Sequence, residues 1–235
     1  MTDFGHQDPF VGVMKAVIWS RAPRARVVDL CHGIPPGDAR AGALALRSSV
    51  PYFPAKTLFV CVVDPGVGSR RRVLWARTKR HSFLAPDNGL LSWLPDPVLE
   101  RRAVTDASLF LEPLSGTFHG RDLFAPVAAA LLNRRPPSSL GPRVDAAVEI
   151  AWPENEILAF DRFGNAVTSI PSKTAGGRVV YKRRDLGPLR THYAAVPSGK
   201  PLAVAGSSHL VELSVRDGDF RTRFRASIGD PVHVR

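Results

Sequence analysis

The sequence predicts an α/β domain followed by a smaller antiparallel β-domain, on three observations. The run over residues 58–63 is continuously apolar and ends at Asp64-Pro65-Gly66, as a strand covered on both faces does before a loop. Over residues 1–140, stretches of helical texture alternate with strand-like runs, the pattern of an α/β layer. Beyond a Pro- and Ser-rich stretch at residues 133–143, the texture changes to short strand-like runs separated by turn signals.

Taken in order, Asp8-Pro9 reads as a helix start, with Asp at the N-cap and Pro in the first turn. Phe10, Met14, Val17 and Ile18 follow at helical spacing. A second helix begins at Asp38 and runs towards Tyr52. Residues 58–63 read as the central strand of a mostly parallel sheet, with further strands at 73–76 and 82–84. Asp87-Asn88-Gly89 reads as the cap of a short helix around 90–93, and residues 123–132 as an alanine-rich helix. Residues 133–143 read as a linker, which divides the chain into domains at 1–140 and 145–235. In the second, strands are expected at 147–151, 156–160, 166–170, 179–182, 202–205 and 210–215. Phe163-Gly164-Asn165 and Arg216-Asp217-Gly218 mark turns between them.

Composition narrows the function class. A chain of 235 residues, 44% hydrophobic and 23% charged, is an ordinary globular protein long enough to bury a sizeable core. No apolar run approaches the roughly 18–20 residues of a membrane span. Cys31 and Cys61 lack metal-type spacing and suit a reducing compartment, and no secretory signal is visible, so a cytoplasmic location is expected. The formal charge of +11 could serve a nucleic acid. The arginines are scattered, however, and there is no interleaved aromatic motif of the RNA-binding type, so a solvated basic surface is the expectation.

Five segments could carry chemistry. Thr2-Asp3-Phe4-Gly5, with Asp8 after it, offers two carboxylates beside a helix start that could hold hydroxyls or an amine. The run from Asp64-Pro65-Gly66-Val67-Gly68 to Arg70-Arg71-Arg72 sits at the C-terminal end of a buried strand, where ligands of open α/β sheets collect. Its glycines permit a tight turn and close backbone approach. Thr117-Phe118-His119-Gly120-Arg121-Asp122 places a histidine at a loop-to-helix junction. Asp161-Arg162-Phe163-Gly164-Asn165 and Gly206-Ser207-Ser208-His209 lie between strands, and each also reads as a plain turn.

In this order, the five segments together with Ala85-Pro86-Asp87-Asn88-Gly89-Leu90 resemble the SAM hydroxide adenosyltransferase family, relatives of the SAM-dependent fluorinase and chlorinase. The likeness covers essentially the whole chain. It implies an N-terminal α/β domain, a β-barrel-like C-terminal domain, and a homotrimer with active sites between subunits. It also implies hydrolysis of S-adenosyl-L-methionine to adenosine and L-methionine, with no cofactor and no metal. Carried over by motif, Asp64, Arg71 and His119 activate the water. Asp3 holds the ribose hydroxyls, and Asp8 and Asp161 face the methionine ammonium. Phe163 and Asn165 contact the adenine and Ser207 the methionine carboxylate; Phe118 and Ser208 complete the substrate-binding set. The halogenating relatives have tyrosines in place of Asp64 and His119, and a halide-holding serine in place of Gly120. Two departures stand out. The family has a strand of several apolar residues ahead of the Thr-Asp-Phe-Gly word, where Met1 alone precedes Thr2, and it has glycine where this chain has His209. Two rival readings are a metal-dependent phosphoesterase using Asp3, Asp8, Asp64 and His119, and a non-catalytic nucleoside- or RNA-binding protein.

Overall fold

A computed structural model describes residues 1–173 and 176–235, in two compact units, Met1–Ile150 and Ala151–Arg235.

The N-terminal unit contains α1 (Phe10–Arg21), α2 (Ala39–Ser49), β1 (Leu58–Val60), β2 (Val73–Arg77), β3 (Ser82–Pro86), β4 (Glu100–Ala103) and α3 (Ala125–Leu132). α2 begins as the sequence predicts, with the Asp38 side chain accepting from the Ala41 N–H at 2.9 Å. α1 does not: its cap position is Pro9, no side chain caps it, and Asp8 is exposed. The helix instead buries Val11, Met14 and Ile18 against α3.

The sheet has the order β1-β3-β2-β4. Only β1 and β3 are parallel; β2 runs antiparallel to both β3 and β4. The mostly parallel sheet expected from the sequence is therefore a mixed one. The reason is the length of one connection. Four residues separate Arg77 from Ser82, and a parallel pair needs a crossover of roughly a dozen. Thr78 closes this turn, its N–H donating to the His81 carbonyl at 2.9 Å.

β1 is an edge strand by its named partners, yet the chain start extends the ladder. The Met1 ammonium donates to the Val60 carbonyl at 2.9 Å, and the Val62 N–H to the Met1 carbonyl at 2.9 Å. Thr2 forms a parallel bridge with Val62. Alongside Leu58 and Val60 the edge faces a cavity of about 410 Å³, lined by Met14, Ile18, Val27 and Phe53 among others.

Two further expectations are corrected here. Residues 90–93 form turns, not a helix. Gly89 takes a φ of +89°, where a Cβ would overlap Ile150, and Trp93 Nε1 donates to the Ile150 carbonyl at 2.9 Å. The Pro- and Ser-rich stretch at 133–143 is part of the first unit, because Leu140 is fully buried in its core.

The C-terminal unit contains β5 (Ile157–Phe160), β6 (Ala166–Pro171), β7 (Arg178–Tyr181), β8 (Arg184–Pro188), β9 (Pro201–Ala205), β10 (Leu210–Val215), α4 (Phe220–Phe224) and β11 (Val232–Val234). They form two antiparallel sheets, β5-β6-β10-β9 and β11-β7-β8. Ile157, Ala166, Val211 and Leu213 of the first share one core with Val179, Tyr181, Leu186 and Val232 of the second. Among the described residues neither sheet closes into a barrel, which corrects the barrel-like expectation. Residues 147–151 are not a strand; the Val148 and Ile150 N–H groups donate to Asp87 and Ser92 side chains instead. No helix is long and apolar enough to cross a membrane among the described residues.

The contrast between the two helix starts is measurable. Asp38→Ala should lower unfolding free energy by about 1 kcal/mol, the usual worth of an N-cap. Asp8→Ala should leave it within about 0.5 kcal/mol of the parent, as a surface change does. Chemical denaturation of both variants checks the assignment.

Candidate active site

β1 delivers the chain to Asp64, and the loop behind it is shaped by glycine. Gly68 takes a φ of +76°, and a Cβ there would overlap the Gly116 carbonyl, so two loops meet backbone to backbone. The next residues, Arg70 to Arg72, take three different environments. Arg70 is exposed. Arg72 pairs with the buried Asp87, Nε to Oδ2 at 2.8 Å, and Asn88 Nδ2 donates to the Val63 carbonyl at 2.8 Å. The Asp87-Asn88 word thus braces the strand end ahead of Asp64.

Arg71 turns inward. Its Nε donates to both Asp64 oxygens, at 2.9 and 2.8 Å, and Nη2 also donates to Oδ2. The same Nη2 contacts His119 Nδ1 at 2.8 Å. The Asp64 side chain is 4% exposed and that of Arg71 12%. A guanidinium can only donate, so Nδ1 must present its lone pair, and a neutral His119 then carries its proton on Nε2. Burial, and next the positive charge of Arg71, hold the His119 pKa below its ordinary value. The trio therefore has no net charge at neutral pH: one carboxylate, one guanidinium and one neutral imidazole.

His119 precedes a single widened turn, the π-helical Gly120–Phe124, that leads into α3. Such turns cluster at functional sites. A Cβ on Gly120 would sit 3.0 Å from Met14 Sδ and 3.2–3.3 Å from the Phe118 and Phe4 rings, so even serine would crowd there. Phe118 stands edge-on to Phe10 and Phe4, with centroids 5.0 and 5.9 Å apart.

Asp3 accepts from the Gly37 N–H through Oδ2 at 2.8 Å; its Oδ1 has no partner among the described residues. Its neighbour Thr2 is anchored by a relay that sequence reasoning missed. Thr2 Oγ1 lies 2.8 Å from His32 Nδ1, and His32 Nε2 lies 3.1 Å from Asp29 Oδ1. Asp8 is exposed and free of side-chain partners among the described residues. Among the described residues, Asp3, Asp8, Asp64 and His119 included, no group of three or more His, Cys, Asp or Glu side chains could hold a metal ion.

The second constellation lies within the C-terminal unit. Asp161 organises the β5–β6 turn: Oδ1 accepts from the Phe163 and Asn165 N–H groups at 2.9 and 2.8 Å, and Oδ2 from Asn165 Nδ2 at 2.8 Å. Phe163 is 75% exposed, an open aromatic face beside the buried Asn165. In the β9–β10 turn Ser207 is exposed, while Ser208 Oγ is buried with no hydrogen-bond partner. His209 holds a φ of +63°, the left-handed conformation that glycine adopts freely, which accounts for the glycine of relatives. Sequence reading also missed Glu212, 8% exposed in β10, whose Oε2 accepts from Tyr193 Oη at 2.7 Å. An acid inside an otherwise apolar strand was the available signal.

Residues 1–141 match the SAM hydroxide adenosyltransferase N-terminal domain, and residues 155–233 its C-terminal domain. The (R)-S-adenosyl-L-methionine hydrolase of Thermus thermophilus is 43% identical, covering 100% of this chain and 97% of the relative. A crystal structure of an uncharacterized conserved protein from Thermotoga maritima superposes with a TM-score of 0.92 at 32% identity, covering 99% of this chain and 97% of that one. More distantly, the fluorinase of Nocardia brasiliensis is 26% identical over 82% of this chain and 73% of its own.

The Arg71–His119 contact has a spectroscopic consequence. Long-range ¹H–¹⁵N spectra at pH 7 should show His119 neutral with its proton on Nε2. Arg71→Met should raise the His119 pKa, because the repelling charge is gone. A fall, or a proton on Nδ1 in the parent, would contradict the geometry.

Proposed function

The chain belongs to the SAM hydroxide adenosyltransferase family, and from that premise we infer that it hydrolyses S-adenosyl-L-methionine, releasing adenosine and L-methionine. The observation that carries the mechanism is the cluster of Asp64, Arg71 and His119, assembled from three separate stretches of chain.

The sulfonium is already a good leaving group, since it departs as a neutral thioether and needs no proton. The difficulty lies with the nucleophile. Water must stand behind ribose C5′, in line with the C–S bond, and lose a proton as it attacks. Its oxygen forms the new bond to C5′ while the C–S electron pair leaves with sulfur. The His119 lone pair is occupied by Arg71, so His119 is a donor: its Nε2–H orients the water oxygen. Asp64 is the proton acceptor. A base so placed contributes on the order of 10²–10⁴ in rate. Arg71 stabilises the hydroxide character that develops, and its pairing with Asp64 cancels the charge that would otherwise repel the sulfonium.

Substrate orientation falls to the remaining residues. Asp3, through its unpartnered oxygen, takes the ribose hydroxyls; Phe118 and the exposed Phe163 flank the adenosine, with Asn165 on the adenine. Asp8, Asp161, Ser207 and Ser208 take the amino-acid end. The resemblance supports a homotrimer in which each site draws on two subunits. Both cysteines are free, consistent with a reducing cytoplasm.

Incubation with S-adenosyl-L-methionine in chloride-free buffer containing a chelator tests the reaction. Adenosine and methionine should appear together, with ¹⁸O from labelled water in the adenosine. His119→Ala should reduce kcat by about 10²–10³, as loss of a positioned donor does, and change KM only a few-fold. Full turnover in that variant would remove His119 from the mechanism, and absence of both products in the parent would overturn the reaction.

A further inference from the structure

We propose that His32 is a positioning residue for the reaction: backed by Asp29, it fixes the Thr2 hydroxyl and, through it, the turn that presents Asp3 to the ribose. This rests on the hydrolase reading above and on the ribose role given there to Asp3.

A carboxylate that meets a ribose diol must be aimed, because hydrogen bonds weaken steeply when donor and acceptor are misaligned. The aim of Asp3 is set by the backbone of residues 2–5. That backbone is pinned at both ends to one segment: the Thr2 N–H donates to the Cys31 carbonyl at 3.1 Å, and the Gly5 N–H to the His32 carbonyl at 2.8 Å. Between these pins the Phe4 N–H donates to Thr2 Oγ1 at 3.2 Å, closing a turn around Asp3. The rotamer of Thr2 therefore decides how Asp3 is pitched, with Oδ2 tied to the Gly37 N–H at 2.8 Å.

The Thr2 rotamer is decided in turn by a row of side chains. Lys15 Nζ donates to Asp29 Oδ2 at 2.6 Å, and this bond holds the Asp29 pKa below its ordinary value. An ionised carboxylate only accepts, so His32 Nε2, 3.1 Å from Asp29 Oδ1, carries a proton. Burial holds the His32 pKa down, which leaves the Nδ1 lone pair free. Thr2 Oγ1–H donates to that lone pair at 2.8 Å, and its oxygen is left to accept from Phe4. Each bond in the row then has one direction. A buried polar row of this kind adds little stability, because desolvation offsets its hydrogen bonds. What it adds is a single geometry.

A hydroxyl, an imidazole and a carboxylate in line also make the nucleophile of many hydrolases. Burial separates the two roles here. Thr2 is 2% exposed and His32 5%, so Oγ1 is shut away from a substrate. The row can hold Asp3 in place; it cannot attack.

A ligand pair separates this role from a merely structural one. Turnover of S-adenosyl-L-methionine is measured beside the inhibition constant of its 2′,3′-dideoxy analogue, which lacks the hydroxyls that Asp3 meets and need not itself react. Asp3→Asn serves as the reference and should weaken S-adenosyl-L-methionine far more than the analogue. The proposal expects His32→Phe and Thr2→Val to lower kcat/KM for S-adenosyl-L-methionine about tenfold, chiefly through KM, as for a weakened hydrogen bond to a charged group. The analogue's inhibition constant should change less than about twofold, and Thr2→Ser, which keeps the hydroxyl, should restore most of the loss seen in Thr2→Val. Equal losses on both ligands would make the row structural and overturn the proposal, as would no loss on either, or a Thr2→Ser as poor as Thr2→Val. Should His32→Phe not fold, the Thr2→Val and Thr2→Ser pair decides alone. A parent that releases no adenosine overturns the hydrolase reading and this inference with it. An Asp3→Asn that discriminates between the ligands while His32→Phe and Thr2→Val do not overturns this inference only.

Discussion

One guanidinium holds the N-terminal constellation together. Arg71 reaches Asp64 with two nitrogens and His119 with one of the same two, so three residues far apart in sequence share a single fixed geometry. Everything around it serves that placement. The loop bends tightly because Gly68 passes against Gly116, Arg72 ties its far end to Asp87, and Asn88 holds the strand that delivers Asp64. A buried ion pair of this kind is poor evidence for stability, since desolvation offsets much of the attraction. Its value here is geometric: it fixes the His119 tautomer and holds the Asp64 carboxylate beside it.

The C-terminal constellation follows the opposite electrostatic plan. Asp161 and Glu212 share a neighbourhood that lacks a paired cation, and Ser208 leaves a buried hydroxyl open. The neutral trio suits a reaction that consumes the sulfonium's charge, whereas the acidic pocket suits a substrate group that stays cationic throughout.

What was legible in the sequence was chiefly what depends on short motifs. Asp64, Arg71 and His119 could be named in advance, Arg71 among three consecutive arginines, and they do meet. α2 was readable from Asp38, and most strands of the second half from their apolar runs. The failures have physical causes. Strand direction in the first sheet was fixed by a four-residue connection, not by the apolar texture that suggested parallel strands. Asp8 looked like a cap because Asp-Pro often is one, but Pro9 occupies the cap position and leaves Asp8 to solvent. The widened turn over Gly120–Phe124 was not read from the sequence, which shows only a loop-to-helix junction there. Glu212 carried one signal, an acid within the mostly apolar β10, but the Tyr193 that partners it lies 19 residues away, outside any local pattern.

The choice between water and halide as nucleophile then follows from charge and space at one position each. A halide needs no base; it needs donors that can replace its hydration shell, and no competing anion. Here the strongest donors, those of Arg71, are already committed to Asp64, whose own charge would repel a halide. Gly120, where a halide-holding serine would stand, is packed against Met14, Phe4 and Phe118 closely enough that a hydroxymethyl group has no room without displacement. Water has the reverse requirements. It must be held by a donor and relieved of a proton, the two roles proposed for His119 Nε2–H and Asp64. In the proposed mechanism the carboxylate that would repel an anion is also the group that takes the proton of water, which would put selectivity and catalysis in the same side chain.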